Sequence, residues 1–311
     1  MKSMDNPLVS ISCITYNHAS YIRKCLEGFM MQRTDFAFEV LIHDDASTDG
    51  TAEIIKEYQD KYPDIIKPIY EKENQWIKGK RGSAVFNFHR AKGKYIAMCE
   101  GDDYWTDPLK LQRQIDFMEA NDDYVMCSHS YHVEDDKNKS VVIKSSFDRD
   151  YNLDNLVVGD WYFQPLSWVF RKSTYYLHLT DYTYSSDVIL LYTLLRGGKG
   201  RYMSRVMGTY RHHNSGVWSK VSMATQRESE FVRRLAIAKV EKSRHAVVFL
   251  LSVFRKPVSR IWMLKKTKLM YEVFKMVWDI LGFSYAIKFM IKKILCNNLM
   301  SRSELQELLY E

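Results

Sequence analysis

The residues best suited to chemistry are Glu100-Gly101-Asp102-Asp103-Tyr104-Trp105, because two adjacent carboxylates follow directly on the apolar run Tyr95-Ile96-Ala97-Met98-Cys99, which reads as a buried strand. Side by side at the carboxyl end of a strand, where open α/β sheets bind ligands, the two charges repel unless a divalent cation or a set of donors neutralises them. Oxygen ligands of this kind suit Mg²⁺ or Mn²⁺, with phosphate oxygens completing the shell. The competing reading is a solvated turn ahead of a helix starting near Pro108, since Asp and Gly are ordinary turn residues. Three further clusters occupy equivalent places at strand ends: Thr15-Tyr16-Asn17, Asp44-Asp45 and Arg211-His212-His213. Consecutive strand ends of a parallel sheet converge on one crevice. Acidic pairs after two strong strands and a histidine pair after a third therefore argue for one shared site.

The elements that must position these clusters are readable from periodicity. Leu8 to Ile14 is a first strand, followed by a polar turn and an amphipathic helix carrying Ile22, Leu26, Phe29 and Met30. Phe38 to His43 is a second strand, and Ile54, Ile55 and Tyr58 then recur at helical spacing. A third strand covers Ile65 to Tyr70 and a fourth Tyr95 to Cys99. Strands alternating with helical patterns predict a mostly parallel sheet covered by helices. Farther on, Tyr124 to His132 reads as a strand, Val133 to Asp150 as a polar, flexible crossing, Trp161 to Arg171 as strand-like, Val188 to Leu195 as a helix and Arg201 to Tyr210 as a strand. From about Ser222 the pattern is helical.

With 311 residues and 46% apolar side chains, the chain can bury a full core, which excludes a disordered protein. The five cysteines, Cys13, Cys25, Cys99, Cys127 and Cys296, are odd in number, form no CxxC pair and mostly sit in apolar contexts. They read as buried free thiols in a reducing compartment. The first seven residues lack the apolar core of an export signal. Charge is uneven: residues 230–311 hold 16 Lys and Arg against 7 Asp and Glu, so +9 of the whole-chain +7 belongs there and residues 1–229 carry −2. The apolar clusters of this tail are interleaved with Lys and Arg and fall short of the roughly 18 residues that a membrane span needs. They suit a basic helix lying on an anionic membrane surface, or a helical extension whose charges face water. Without a recognised nucleic-acid module beside the charge, DNA or RNA is not expected as a partner.

Val9-Ser10-Ile11 through Thr15-Tyr16-Asn17, His43-Asp44-Asp45-Ala46-Ser47-Thr48-Asp49-Gly50-Thr51, Ala91-Lys92-Gly93-Lys94-Tyr95-Ile96 and Glu100 to Trp105 follow one another in the order of a family 2 glycosyltransferase, which the chain resembles over residues 8–125 and more weakly over 160–218. The resemblance implies an α/β, GT-A (Rossmann-like) fold with a mostly parallel central sheet flanked by helices. A glycosyltransferase domain would span 1–220, its nucleotide-sugar half 1–123 and its acceptor half 124–220, with a basic helical extension at 221–311. It also implies a nucleotide-diphosphate sugar donor, UDP-linked by preference, Mn²⁺ or Mg²⁺ as cofactor, and inversion at the anomeric carbon.

By this resemblance Thr15, Tyr16 and Asn17 line the nucleotide pocket, and Asp44 or Asp45 accepts a hydrogen bond from the base, a task that suits an acceptor-only carboxylate. The family's Asp-x-Asp is here Glu100-x-Asp102. The direct metal bond then falls to Asp102 with Asp103 in support, Glu100 acts on the ribose or through water, and His213 completes the metal shell. Asp187 stands where relatives carry the catalytic base, preferred to Asp160 and Asp181, although it also suits the start of the helix at Val188. Trp218 suits stacking on the acceptor sugar, or burial.

No Gln-x-x-Arg-Trp signature follows Asp187, so one sugar per encounter is expected. The implied function is a hexosyl- or N-acetylhexosaminyltransferase acting on a saccharide or lipid-linked acceptor in bacterial surface polysaccharide assembly. Its place would be cytoplasmic, peripheral on the inner face of the membrane. The alternative is a non-catalytic nucleotide-sugar-binding or scaffolding protein of the same fold, for which the Glu100 departure speaks.

Overall fold

The computed structural model of the chain describes residues 6–78, 86–135, 140–143, 147–158, 164–176, 187–213, 216, 221–255, 267–289 and 300–310. Trp218, Asp160 and Asp181 lie outside the described residues. These residues fall into two compact units, one within Met1–Tyr151, Tyr162–Thr180 and Ser185–Asn214, the other within Asn152–Trp161, Asp181–Tyr184 and Ser215–Glu311.

The first unit is built on one sheet. Its early strands are β1 (Val9–Thr15), β2 (Phe38–Asp44), β3 (Ile66–Tyr70) and β4 (Tyr95–Met98), joined by helices α1 (Ile22–Met30) and α2 (Thr51–Lys61). Then come β5 (Tyr104–Trp105), α3 (Lys110–Ala120), β6 (Tyr124–Asp135), β7 (Ser140–Ile143), β8 (Arg149–Tyr151), β9 (Val169–Arg171), α4 (Asp187–Arg196) and β10 (Lys199–His212). The sheet runs β3-β2-β1-β4-β9-β6-β10-β5, with β7 beside β6 and β8 beside β10. β1, β2, β3 and β4 pair in parallel; β9 is antiparallel to both β4 and β6, and β10 is parallel to β6, so the six long strands share one direction. Chain order reverses at β1, whose neighbours are β2 on one side and β4 on the other. Such a reversal opens a crevice at the strands' carboxyl ends.

β4 is a continuous apolar run, and β1 and β2 are buried on both faces as well, their polar Ser10 and Glu39 bonded to each other at 2.6 Å, because helices cover both faces of this parallel part of the sheet. Val9, Ile11, Cys13, Val40, Ile42, Tyr95 and Ala97 form the core with Cys25, Leu26 and Phe29 of α1. Four of the five cysteines, Cys13, Cys25, Cys99 and Cys127, are buried free thiols as expected. Two readings of the middle region change. Within the stretch expected to be a flexible crossing, β6 runs on to Asp135, and β7 and β8 add strands along β6 and β10. Both are short strands off the main strand order, and short edge pairing tolerates charged neighbours, which hides the alternation. Among the described residues of the strand-like run ending at Arg171, Val169–Arg171 is strand and Pro165–Ser167 a 3₁₀ turn, Pro165 having no N–H to give a ladder.

In the second unit, α5 (Met223–Glu241) is capped by Ser222, whose hydroxyl accepts the Thr225 N–H at 3.2 Å, and α6 (Arg244–Leu251) by Ser243. α6 is buried along its whole apolar run, Ala246 to Leu251. The Leu153–Val157 turn joins this unit, as His245 and Tyr310 both bond the Asp154 carboxylate, at 2.9 and 2.8 Å. α7 (Thr267–Leu281), α8 (Phe283–Phe289) and α9 (Arg302–Tyr310) complete it. No helix among the described residues is long and apolar enough to cross a membrane.

Candidate active site

Parallel register sets Thr15 opposite Asp44, so the loops leaving β1 and β2 start side by side. Hydrogen bonds lock them together: the Asn17 N–H donates to Ser47 Oγ and the Thr48 N–H to Asn17 Oδ1, both at 2.8 Å; the His18 N–H donates to Thr51 Oγ1 at 2.8 Å and the Ala19 N–H to Asp49 Oδ2 at 3.0 Å. Asn17 and Ala46 take left-handed backbone angles, φ 52° and 62°, which places both turns among the strained positions common at binding sites. Tyr16 stays exposed above this cradle.

Asp44 and Asp45 divide their work. Asp44 accepts the hydroxyl and, at 3.4 Å, the N–H of Ser47. Asp45 is taken up by the backbone beyond β3, accepting the Gln75 N–H at 2.6 Å and the Trp76 N–H at 3.2 Å. Burial, against neutral donors only, raises the Asp44 carboxyl above its ordinary range.

The turn after β4 enters the same crevice. Gly101 is required there: a Cβ would stand 2.6 Å from Thr15 Oγ1, while its N–H donates to the Ile14 carbonyl at 3.0 Å. This close approach brings Asp102 under the β1 loop and against the end of β10. His213 Nε2 lies 3.2 Å from Asp102 Oδ2, and His18 Nε2 lies 3.7 Å from the same oxygen. His213 is buried and its ring packs on Tyr21 at 4.5 Å, whereas His212 is the last residue of β10 and faces solvent. Asp103 is buried and accepts the Arg211 N–H at 2.9 Å. Arg211 in turn donates to the Asp102 carbonyl at 2.8 Å.

The electrostatics follow from these partners. Burial alone would raise the Asp102 carboxyl, but the His213 hydrogen bond and the charges of His18 and His213 hold it below the ordinary range. Glu100 and Asp103 are pushed well above theirs, by burial first and by the Asp102 charge second. Asp187, the first residue of α4, is near enough for its charge to act on Glu100. The acidic turn, the β10 end and the start of α4 therefore share one electrostatic neighbourhood.

Asp102 Oδ1 is buried with no hydrogen-bond partner among the described residues, as is His18 Nδ1. A buried anionic oxygen left this way costs several kcal/mol unless a cation or donor meets it (roughly 1–3 kcal/mol even for neutral groups). No group of three or more His, Cys, Asp or Glu among the described residues is arranged to hold a metal ion unaided. Mn²⁺ and Mg²⁺ do not require such a cage; one or two protein ligands, phosphate oxygens and waters suffice. Asp102 and His213 fit that description.

Of the residues singled out from sequence, Thr15, Asn17, Asp44, Asp45, Glu100, Asp102, Asp103, Asp187 and His213 come together at these strand ends; Tyr16 stands at the rim. His18, Tyr21 and Arg211 belong to the same arrangement, although the sequence assigned them no role. His18 follows directly on Thr15-Tyr16-Asn17 and Arg211 precedes the histidine pair, so adjacency was a usable signal. For Tyr21 there was none.

The family profile "Glycosyl transferase family 2" matches residues 10–176. An uncharacterised protein of Mycobacterium tuberculosis is 37% identical over 212 residues, 68% of this chain and 60% of that protein's length. The chain thus spans about 60% of the length of these mycobacterial relatives. UDP-Glc:alpha-D-GlcNAc-diphosphoundecaprenol beta-1,3-glucosyltransferase WfaP of Escherichia coli is 29% identical over 245 residues, 78% of this chain and 91% of WfaP. Among solved structures, S. aureus TarS 1-349 in complex with UDP-GlcNAc superposes with a TM-score of 0.63 at 18% identity, over 96% of this chain and 86% of that one. This last likeness is one of fold, and the fold is GT-A.

Proposed function

The chain belongs to glycosyl transferase family 2, and from that premise we propose that it moves one sugar, with inversion, from a nucleotide-diphosphate donor to a hydroxyl of a saccharide or lipid-linked acceptor in bacterial surface polysaccharide assembly. The observation that carries this reading is Asp102: a carboxylate with one oxygen on an imidazole and the other buried and unpartnered among the described residues, at the crevice where β1, β2, β4 and β10 end. WfaP, named for a UDP-sugar donor and a diphosphoundecaprenol-linked acceptor, supports the substrate class.

In this reading the nucleoside lies across the β1 and β2 loops. Tyr16 offers its exposed ring to the base, Thr15 and Asn17 line the pocket, and Asp44, whose oxygens keep spare lone pairs, accepts a base N–H of the uracil kind. Asp102 and His213 would hold Mn²⁺ or Mg²⁺, with Asp103 fixing the strand end behind them by its bond to the Arg211 N–H. Such an ion would supply charge neutralisation for the departing diphosphate. Glu100, whose carboxyl is raised by burial and by the Asp102 and Asp187 charges, acts on the ribose or through a water. Asp187 removes the acceptor hydroxyl's proton as the oxygen bonds the anomeric carbon and the sugar–phosphate bond breaks on the opposite face.

We assign residues 221–311 to contact with an anionic membrane surface, where a lipid-linked acceptor resides. On α7, Tyr271 and Trp278 are 66% and 48% exposed two turns apart, with exposed Lys275 between them, the pairing of interfacial aromatics with a basic residue that anionic headgroups favour.

The test is transfer or donor hydrolysis with a panel of UDP- and GDP-sugars. Activity should vanish with EDTA, return with MnCl₂, and fall about 10²-fold or more in Asp187→Asn, which keeps donor affinity. Activity indifferent to EDTA removes the metal assignment. Undiminished activity in Asp187→Asn removes the base, and a cellular role that survives Asp187→Asn without any turnover favours the scaffold.

A further inference from the structure

Arg211 is held on several sides in the crevice, and none of the proposed chemistry uses it. It lies nearly buried, and its guanidinium carbon stands 4.4 Å over the Tyr104 ring and 5.3 Å over the Tyr21 ring. One nitrogen, Nη1, donates to the Asp102 carbonyl at 2.8 Å and to the Tyr21 carbonyl at 3.4 Å. Nε faces Glu134 at 4.0 Å, and Glu134 is held by the Tyr104 hydroxyl at 2.9 Å. The backbone is tied as well, since the Arg211 N–H donates to Asp103 Oδ1 at 2.9 Å.

Arg211 therefore touches every segment that meets at the Asp102–His213 pair. It grips the acidic turn by the backbone of Asp102, the residue just before α1 by the carbonyl of Tyr21, and β6 by Glu134. Its own strand ends at the next residue, His212, and the ring of His213, just beyond, rests on Tyr21. A planar fork between two aromatic faces with fixed acceptors holds one geometry, which a lysine ammonium cannot reproduce. Partners behind a ligand pair orient it as much as the ligands do.

We infer that Arg211 is a positioning residue: it fixes the separation of Asp102 and His213 by tying the turn after β4, the start of α1 and the end of β10 into one unit. The inference deepens the proposed function and rests on the reading of Asp102 and His213 as the pair that faces the diphosphate.

The experiment uses the full chain with ¹⁵N-labelled imidazoles, the His213 resonances being assigned by His213→Gln. In metal-free wild type, His213 Nε2 should show the ¹⁵N shift of a nitrogen hydrogen-bonded to a carboxylate. Arg211→Met and Arg211→Lys should lose that shift while retaining the wild-type circular dichroism spectrum; Arg23→Met, a surface pair with Glu57, should keep it. Titrated with MnCl₂ in the presence of UDP and followed by electron paramagnetic resonance, the Arg211 variants should bind Mn²⁺ about 10- to 100-fold more weakly than wild type. An unchanged His213 signal in a folded Arg211 variant overturns the inference, as does Arg211→Lys matching wild type in both readouts. Should Arg211→Met fail to fold, Arg211→Lys, which keeps the charge and the stem, decides. If wild type takes up no Mn²⁺ with UDP yet the Arg211 variants lose the His213 signal, the metal assignment falls and the positioning role stands.

Discussion

Asp44-Asp45 and Asp102-Asp103 are the same dipeptide at the same kind of place, the carboxyl end of a parallel strand, two strands apart in the sheet. In both, the second aspartate reaches back to a backbone N–H of a distant segment: Asp45 to Gln75 and Trp76, Asp103 to Arg211. The first aspartates differ. Asp44 meets the hydroxyl and N–H of Ser47, and its carboxyl is raised; Asp102 meets imidazoles, and its carboxyl is lowered although it too is mostly buried. Partner chemistry, not residue type or depth, decides whether a buried aspartate suits a neutral N–H or a cation.

The comparison breaks most visibly at Asp102. Asp102→Asn should lower turnover about 10⁴-fold, roughly 5.5 kcal/mol of transition-state stabilisation, with a melting temperature near that of wild type. A variant that keeps its turnover and melts well below wild type would reverse the assignment.

A buried charge with neither kind of partner calibrates the scale. Lys110 is fully buried, its ammonium stands 3.8 Å over the Trp105 ring, and it has no hydrogen-bond partner among the described residues. Burial lowers its pKa from 10.5 to about 7. Between those values the unfolded chain holds a proton that the folded protein has released, so wild-type stability should rise with pH across this window and be lowest below about pH 7. Lys110→Met should abolish the slope and add on the order of 4 kcal/mol at neutral pH, since one pKa unit is about 1.4 kcal/mol; melts at a series of pH values measure both. A flat wild-type profile would show that the ammonium is solvated after all.

Asp45→Asn leaves an amide N–H facing a backbone N–H and should cost about 2 kcal/mol of stability in denaturant titration, with donor binding weakened only through the loosened loop. The smallest change expected is Ser47→Ala, about 1 kcal/mol, read most sensitively as weaker UDP binding by calorimetry, because the hydroxyl lost is shared between Asp44 and Asn17. Were Ser47→Ala to outweigh Asp102→Asn in turnover, the two pairs would have exchanged roles.

Much of this was legible in the chain itself. Val9 to Ile14, Phe38 to His43 and Tyr95 to Met98 declare strands by their β-branched and apolar residues, and Asp102 declares itself by following one of them. Less legible were β7 and β8, whose charged surroundings mask their alternation, and Lys110, which with Gln114 faces inward on a helix where charge ordinarily marks the solvent side. The choice between His212 and His213 rests on which face of β10's last residues turns inward, and a one-residue change of parity would exchange them.

By itself the sequence determined which segments are strands and helices and that carboxylates and imidazoles stand at strand ends, because hydrophobic period and turn chemistry act over a few residues. Only the tertiary structure decided which of those groups meet. Asp102 and His213 are 111 residues apart along the chain, and their encounter depends on β10 lying beyond β9 and β6 and on Gly101 letting the turn settle against Thr15. Those are facts of sheet order and close packing, and no local pattern encodes them.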